Sequence, residues 1–135
     1  MQLSDISEIV PVNIEKNGEF LSLGLLSYNA SKMLVFLESE VYLPRILTNH
    51  NVQCVITTPI LASKLPKQLG IAIAPDPREA FYKLHNFLAT HTNFYWTDFS
   101  SEISDEAMIH PNAYIASRNV RIGKGTIIEP GVIVN

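Results

Sequence analysis

Short apolar runs alternate with helical patterns through the first two-thirds of the chain. The apolar runs predict four β-strands, at Leu21–Leu26, Met33–Leu37, Val52–Thr57 and Gly70–Ala74. The run Met33–Leu37 has no polar position, which is typical of a strand that is buried on both faces. Short helices are expected between the strands, at 40–48 and 59–65. This alternation of strand and helix favours an α/β domain with a largely parallel sheet and right-handed crossovers.

The strongest helix signal begins at Asp76. This residue is a good helix cap, Pro77 suits the first helical position, and Glu79 lies three residues after the cap. Apolar residues then recur at helical spacing on one face, at Ala80, Phe81, Leu84, Phe87 and Leu88. The pattern predicts a helix over 77–90.

From Ile109 the helical period gives way to a period of six residues. Ile122, Ile128 and Val134 are six positions apart, and Ile109 and Ile115 keep the same step upstream, with one residue inserted between the two groups. A period of six predicts a parallel β-coil in which each short strand and turn forms one wall, with one aliphatic side chain per wall pointing inward. An ordinary β-meander with glycine turns is the alternative, but it gives no reason for a constant step of six.

Composition narrows the class of protein. With 47% hydrophobic and 17% charged residues, the chain is globular rather than disordered. The net charge of −3 and the lack of a basic stripe argue against nucleic-acid binding. The single cysteine, Cys54, lies in an apolar run and is expected in the core, with no disulfide or cysteine-based zinc site. Neither a signal peptide nor a transmembrane segment is predicted, so a cytoplasmic protein is expected.

Two parts of the sequence resemble one family of enzymes. The run from Ile109 to Val132 resembles the opening of the hexapeptide-repeat acyltransferases. The upstream motifs Leu34–Leu37 with Tyr42, Val52–Thr57 and Ala74–Phe81 are similar to one branch of that family. This branch is the UDP-3-O-(3-hydroxyacyl)glucosamine N-acyltransferase of lipid A and lipopolysaccharide synthesis.

The resemblance implies a domain organisation and a function. Residues 1–98 are expected to form the α/β uridine-binding domain, 99–108 a linker, and 109–135 the start of a left-handed parallel β-helix that the sequence cuts short. Enzymes of this branch form homotrimers and transfer a 3-hydroxyacyl chain from acyl carrier protein to the amine of a UDP-linked glucosamine. The chain is therefore expected to be an N-terminal substrate-recognition fragment whose partners are the UDP-linked amino sugar and acyl carrier protein. No cofactor is expected.

The resemblance also implies a site for the uracil ring. In this family two aromatic side chains hold the ring, and they match Phe36 and Tyr42. Aromatic faces bind a nucleobase by stacking, worth roughly 1–3 kcal/mol per base. Ser39 stands where the family usually has an asparagine that reaches the uracil edge, and Glu38 and Glu40 are expected to oppose a diphosphate. Weak nucleotide binding follows, with a plain core role for Phe36 as the alternative because it lies in an apolar strand.

Histidines are the only obvious general bases in the chain, at His50, His85, His91 and His110. In the family the catalytic histidine lies several coils into the β-helix, beyond Asn135. No catalytic residue is therefore predicted here, and the chain by itself is expected to be inactive. No metal-ligating set is predicted either.

Two other functions fit the same sequence. One is an O- or N-acetyltransferase that uses acetyl-CoA and acts on a nucleotide-linked sugar for surface polysaccharide, since the hexapeptide repeat is common to both enzymes. The other is a non-catalytic docking or oligomerisation module. Nucleotide titration distinguishes the module from the two enzymes.

Overall fold

A five-stranded mixed sheet occupies the centre of residues 1–92 in the computed structural model, which describes the whole chain, residues 1–135. The strands are β1 (Asn13–Lys16), β2 (Ser22–Leu23), β3 (Met33–Leu37), β4 (Val52–Thr57) and β5 (Gly70–Ile73). They lie in the order β1-β5-β4-β3-β2. Neighbours from β2 to β5 are parallel, whereas β1 pairs antiparallel with β5 at the edge.

The strands predicted from the sequence agree with those of the structure to different degrees. Those predicted at 33–37 and 52–57 are confirmed with the same bounds, and the one predicted at 70–74 ends a residue early. The run predicted over 21–26 is shortened to β2, because the chain turns between Leu25 and Tyr28. Strand β1 was missed, since it is an edge strand with mostly exposed polar side chains.

Three α-helices connect the strands: α1 (Leu43–Thr48), α2 (Pro59–Ala62) and α3 (Pro77–His91). Short 3₁₀ segments lie at Leu3–Glu8 and Glu40–Tyr42. The helix predicted over 40–48 is split, because proline fits only the first turn of an α-helix and α1 starts just before Pro44. The helix predicted over 59–65 ends early, and α3 confirms the helix predicted over 77–90 to within one residue. None of the helices combines the length and the apolar character needed to cross a lipid bilayer.

Asp76 caps α3, since its carboxylate accepts a hydrogen bond of 2.8 Å from the backbone N–H of Glu79. Replacing Asp76 with alanine is expected to lower the free energy of unfolding by about 1 kcal/mol, because this N–H loses its partner. Urea unfolding followed by far-ultraviolet circular dichroism measures the loss. Asp76→Asn is the control, because asparagine caps helices as well as aspartate does. An alanine variant as stable as the wild type would contradict the capping role.

The core is built around β3 and β4, which pack against α3 and also against a cluster that includes Ile46 of α1 and Leu61 of α2. Every residue of β3 except Phe36 is fully buried. The predicted apolar face of α3 is buried except at Phe87, which is partly exposed and stacks on His91 with the ring centroids 4.8 Å apart. Thr57 is the one buried polar residue, and its hydroxyl donates a 2.8 Å hydrogen bond to the carbonyl of Leu37. The core therefore leaves no polar side-chain atom unpaired.

Cys54 lies in β4 between two glycines that approach each other closely. A Cβ atom at Gly70 would lie 2.8 Å from the sulfur of Cys54 and 3.0 Å from the Cα atom of Gly18. Only glycine fits such a close approach of two backbones. The cysteine is fully buried, as predicted, and burial raises the pKa of its thiol to about 11.

Residues 93–135 form a second unit built from two-residue strands. These are β6 (Glu102–Ile103), β7 (Met108–Ile109), β8 (Tyr114–Ile115), β9 (Arg121–Ile122), β10 (Ile127–Ile128) and β11 (Ile133–Val134). They pair in parallel, β6 with β9, β7 with β10 and β8 with β11. Glu102 pairs with Arg121, Met108 with Ile127 and Tyr114 with Ile133, so paired residues are 19 positions apart each time. This spacing equals three walls of six residues plus one inserted residue.

Side chains in this second unit alternate between its two faces. The residues predicted to point inward are buried or half-buried, namely Ile109, Ile115, Ile122, Ile128 and Val134. The residue before each of them is exposed, at Met108, Tyr114, Arg121, Ile127 and Ile133. Gly125 and Gly131 occupy turns with φ of 72° and 78°, a backbone conformation that glycine adopts readily. All three strand pairs are parallel, so no antiparallel meander forms at these strands.

Strand β6 lies inside the segment 99–108, which was predicted from the sequence to be a linker. Its Glu102 forms an ion pair of 2.9 Å with Arg121, whose guanidinium lies 4.5 Å from the centre of the Phe99 ring. Regular parallel pairing therefore begins before Ile109. The period of six residues in the sequence also extends this far, since Ile103 lies six positions before Ile109.

Candidate functional site

A cleft of about 300 Å³ opens where β2 and β3 end, within residues 1–92. One side is the turn Gly24–Ser27 after β2, and the floor is the last part of β3. The other sides come from the segment that leads into α1, from Arg45 within α1, and from the first turns of α3. Parallel strands end at the same edge of a sheet, and this edge is where ligands of open α/β sheets usually bind.

Both aromatic residues predicted to stack on a base line this cleft. Phe36 is half-buried and is the one residue of β3 that is not fully buried. Tyr42 ends the 3₁₀ segment Glu40–Tyr42 and is 43% exposed. The structure therefore brings the two rings to one cavity from two different elements.

A third aromatic residue, Tyr82, lines the same cleft and was missed from the sequence. It lies on α3 and is 45% exposed. The centroid of its ring is 6.1 Å from that of Phe36, and the ring of Phe81 lies 5.1 Å from Phe36 on the buried side. These contacts fix the orientation of the Phe36 ring while the cleft-facing part of the ring stays accessible.

Arg78, also missed from the sequence, links the cleft to the start of α3. Its Nε atom donates a hydrogen bond of 3.0 Å to Glu38, and an Nη atom contacts the other oxygen of the same carboxylate. This pairing raises the pKa of Arg78 above its ordinary value. The guanidinium carbon lies 5.7 Å from the centre of the Phe36 ring, within the range of a cation–π contact.

The two glutamates expected to oppose a diphosphate both have cationic partners. Glu38 is held by Arg78, and Glu40 forms an ion pair of 2.7 Å with Lys64. A carboxylate next to a guanidinium or ammonium group repels a nearby anion far less than an isolated one does. The expected repulsion is therefore largely offset.

Ser39 does not line the cleft, although it was predicted to be part of the base site. Its hydroxyl oxygen accepts a hydrogen bond of 3.4 Å from the backbone N–H of Val41 and caps the 3₁₀ segment. Serine is among the preferred residues at helix N-termini for this reason. Its place in the structure is explained by this local role.

None of the four histidines lines the cleft. His50 lies by a different cavity, beside Gln53 and Gln68. His85 and His91 lie on α3, and Nδ1 of His110 accepts a hydrogen bond of 3.1 Å from a backbone N–H. The cleft thus presents aromatic faces and charged side chains, but no imidazole.

No model of a known protein family matches the chain, and a comparison with curated proteins found no match either. Three partly exposed aromatic residues next to arginine side chains suit a flat aromatic ligand that carries negative charge. Nucleotides have this chemistry.

Proposed function

We propose that the cleft binds the uracil ring of a UDP-linked amino sugar. In this proposal the chain is the substrate-recognition part of a homotrimeric acyltransferase of lipid A synthesis, which transfers a 3-hydroxyacyl chain from acyl carrier protein to the sugar amine. The observation that carries the proposal is the position of Phe36 and Tyr42, which line one cleft at the carboxyl edge of the parallel strands. The sequence motifs that resemble the acyltransferase family identify the same two residues.

The dimensions and the chemistry of the cleft support a nucleoside ligand. Ligand pockets usually enclose about 300–1,000 Å³, so a cleft of about 300 Å³ suits a base and its ribose, with the sugar beyond. Each stacked aromatic face contributes roughly 1–3 kcal/mol without requiring a charged partner. No histidine lines the cleft. In this proposal the residues of the cleft therefore bind the substrate and do not act as a general base through an imidazole.

The second unit supports the acyltransferase part of the proposal. We infer that the second unit, from β6 at Glu102 onward, forms the first coils of a left-handed parallel β-helix, which therefore begin before the predicted start at Ile109. Three parallel strand pairs, each joining residues 19 positions apart, are what a three-walled coil with one inserted residue requires. The β-helix is the scaffold on which this enzyme family builds its catalytic site.

A nucleotide titration followed by amide chemical shifts tests the proposal. UDP and UDP-N-acetylglucosamine are expected to bind weakly and to shift the signals of 24–27 and 36–42. Ribose 5-phosphate, which has a phosphate but no base, is the control and should cause much smaller shifts there. Shifts that cluster elsewhere, or no shifts up to millimolar ligand, would refute the proposed site and leave the non-catalytic module as the better explanation.

A further inference from the structure

The positive and negative charges of the side chains that line the cleft do not cancel. They are Glu38, Arg45 and Arg78, which give a net charge of +1. Glu38 and Arg78 pair with each other. Arg45 has no carboxylate within ion-pair distance, so it is the uncompensated positive charge of the cleft.

We propose that Arg45 binds the diphosphate of the nucleotide, which sets where the phosphates lie relative to the base. This inference rests on the proposed function, because it assumes that a nucleotide occupies the cleft. It adds a residue that neither the sequence motifs nor the aromatic cluster identified. It also assigns different tasks to the two arginines of the site.

The geometry separates those tasks. Arg78 is tied to Glu38 by two of its nitrogens and lies over the Phe36 ring, so it belongs to the base end of the cleft. Arg45 follows Tyr42 by three positions on a continuous helical stretch of backbone. Side chains three positions apart on a helix lie on the same face, which places Arg45 next to one stacking ring.

The side-chain chemistry of Arg45 matches a diphosphate. A guanidinium has five N–H donors in a fixed planar arrangement, and it binds phosphate oxygens through two parallel hydrogen bonds. No protein acceptor takes up these donors in Arg45, whereas Glu38 already takes the Nε donor and one Nη donor of Arg78. The side chain is exposed, so its attraction for a phosphate is moderate and is screened by salt.

Binding of uridine and of UDP to the wild type and to Arg45→Gln tests this assignment. We expect the variant to bind UDP about 5-fold more weakly, the upper range for an exposed ion pair, and to bind uridine as the wild type does. Added salt should weaken UDP binding to the wild type more than to the variant. Lys67→Gln is the matched control, because it removes the same charge from an exposed side chain of the same unit that does not line the cleft.

The outcomes separate this inference from the proposed function. Suppose that uridine binds, and that UDP binds more tightly than uridine by the same factor in Arg45→Gln as in the wild type. Arg45 then does not bind the diphosphate, although the proposed base site is still supported. An equal loss of UDP affinity in Lys67→Gln would also overturn the assignment, since it would show an effect of net charge alone. If neither uridine nor UDP binds the wild type, the proposed function fails, and this inference fails with it.

Discussion

Replacing Tyr42 with alanine is expected to weaken UDP binding by about 5- to 150-fold, because one stacking face is worth roughly 1–3 kcal/mol. Tyr42 suits this test since it is 43% exposed and packs little into the core. The variant should therefore stay folded, with amide spectra that change only around the cleft. Isothermal titration or amide shifts with UDP measure the loss.

Phe36 needs a different substitution, because it is half-buried and packs against Phe81 and Tyr82. Phe36→Leu keeps most of this packing and removes the aromatic face, so a similar loss of UDP affinity is expected with little change in stability. Tyr28→Ala is the control, since Tyr28 is an exposed tyrosine of the same unit that does not line the cleft. Folded Tyr42→Ala and Phe36→Leu proteins that bind UDP as tightly as the wild type would rule out stacking.

Gly70→Ala is expected to lower the free energy of unfolding by about 1–3 kcal/mol, the usual cost of overpacking a filled core. The added methyl group would lie 2.8 Å from the sulfur of Cys54 and 3.0 Å from the Cα atom of Gly18. The side chain of Cys54 can turn slightly, but the backbone of Gly18 has little freedom, because its carbonyl accepts a 2.7 Å hydrogen bond from Leu3. Urea unfolding measures the effect.

Two further variants make this prediction specific. In Gly123→Ala the new methyl group would meet nothing within 4 Å, so a change within about 0.5 kcal/mol is expected, as for an ordinary surface position. In a Cys54→Ala background the effect of Gly70→Ala should shrink without vanishing, because the contact with the sulfur is gone while the contact with Gly18 remains. Full stability of Gly70→Ala in the wild-type background would show that the backbones separate more easily than the packing indicates.

The elements that were predicted well from the sequence are those whose identifying residues all lie within one short segment. The cap, the proline and the apolar face of α3 all lie within Asp76–Leu88, so no distant contact is needed to recognise the helix. Strand β3 is a continuous apolar run, and β4 is apolar except at Gln53 and Thr57, so both strands are also recognisable from local sequence. Strand β1 has no such signal, because only its pairing with β5 makes Asn13–Lys16 a strand. Strand β6 is harder to recognise, because its Glu102 is acidic, faces solvent and pairs with Arg121 on β9.

In the candidate site too, some residues are identified by short sequence motifs and others only by how the chain packs. Phe36 and Tyr42 are six positions apart, and short motifs are enough to single them out. Arg78 and Tyr82 join them only because α3 packs over the end of β3, about forty residues further along the chain. Arg78 and Glu38 are 40 positions apart in the sequence. The sequence alone therefore does not indicate that Arg78 compensates the negative charge of Glu38.

The buried thiol of Cys54 has a practical consequence for spectroscopy. It is the single cysteine of the chain, it has no exposed surface, and its pKa of about 11 keeps it protonated at neutral pH. Only the thiolate reacts quickly with maleimides and similar reagents. A cysteine introduced at an exposed position would therefore take up a fluorophore or spin label selectively, with the native cysteine left in place. Movements around the cleft can then be followed without first removing a side chain that fills the core.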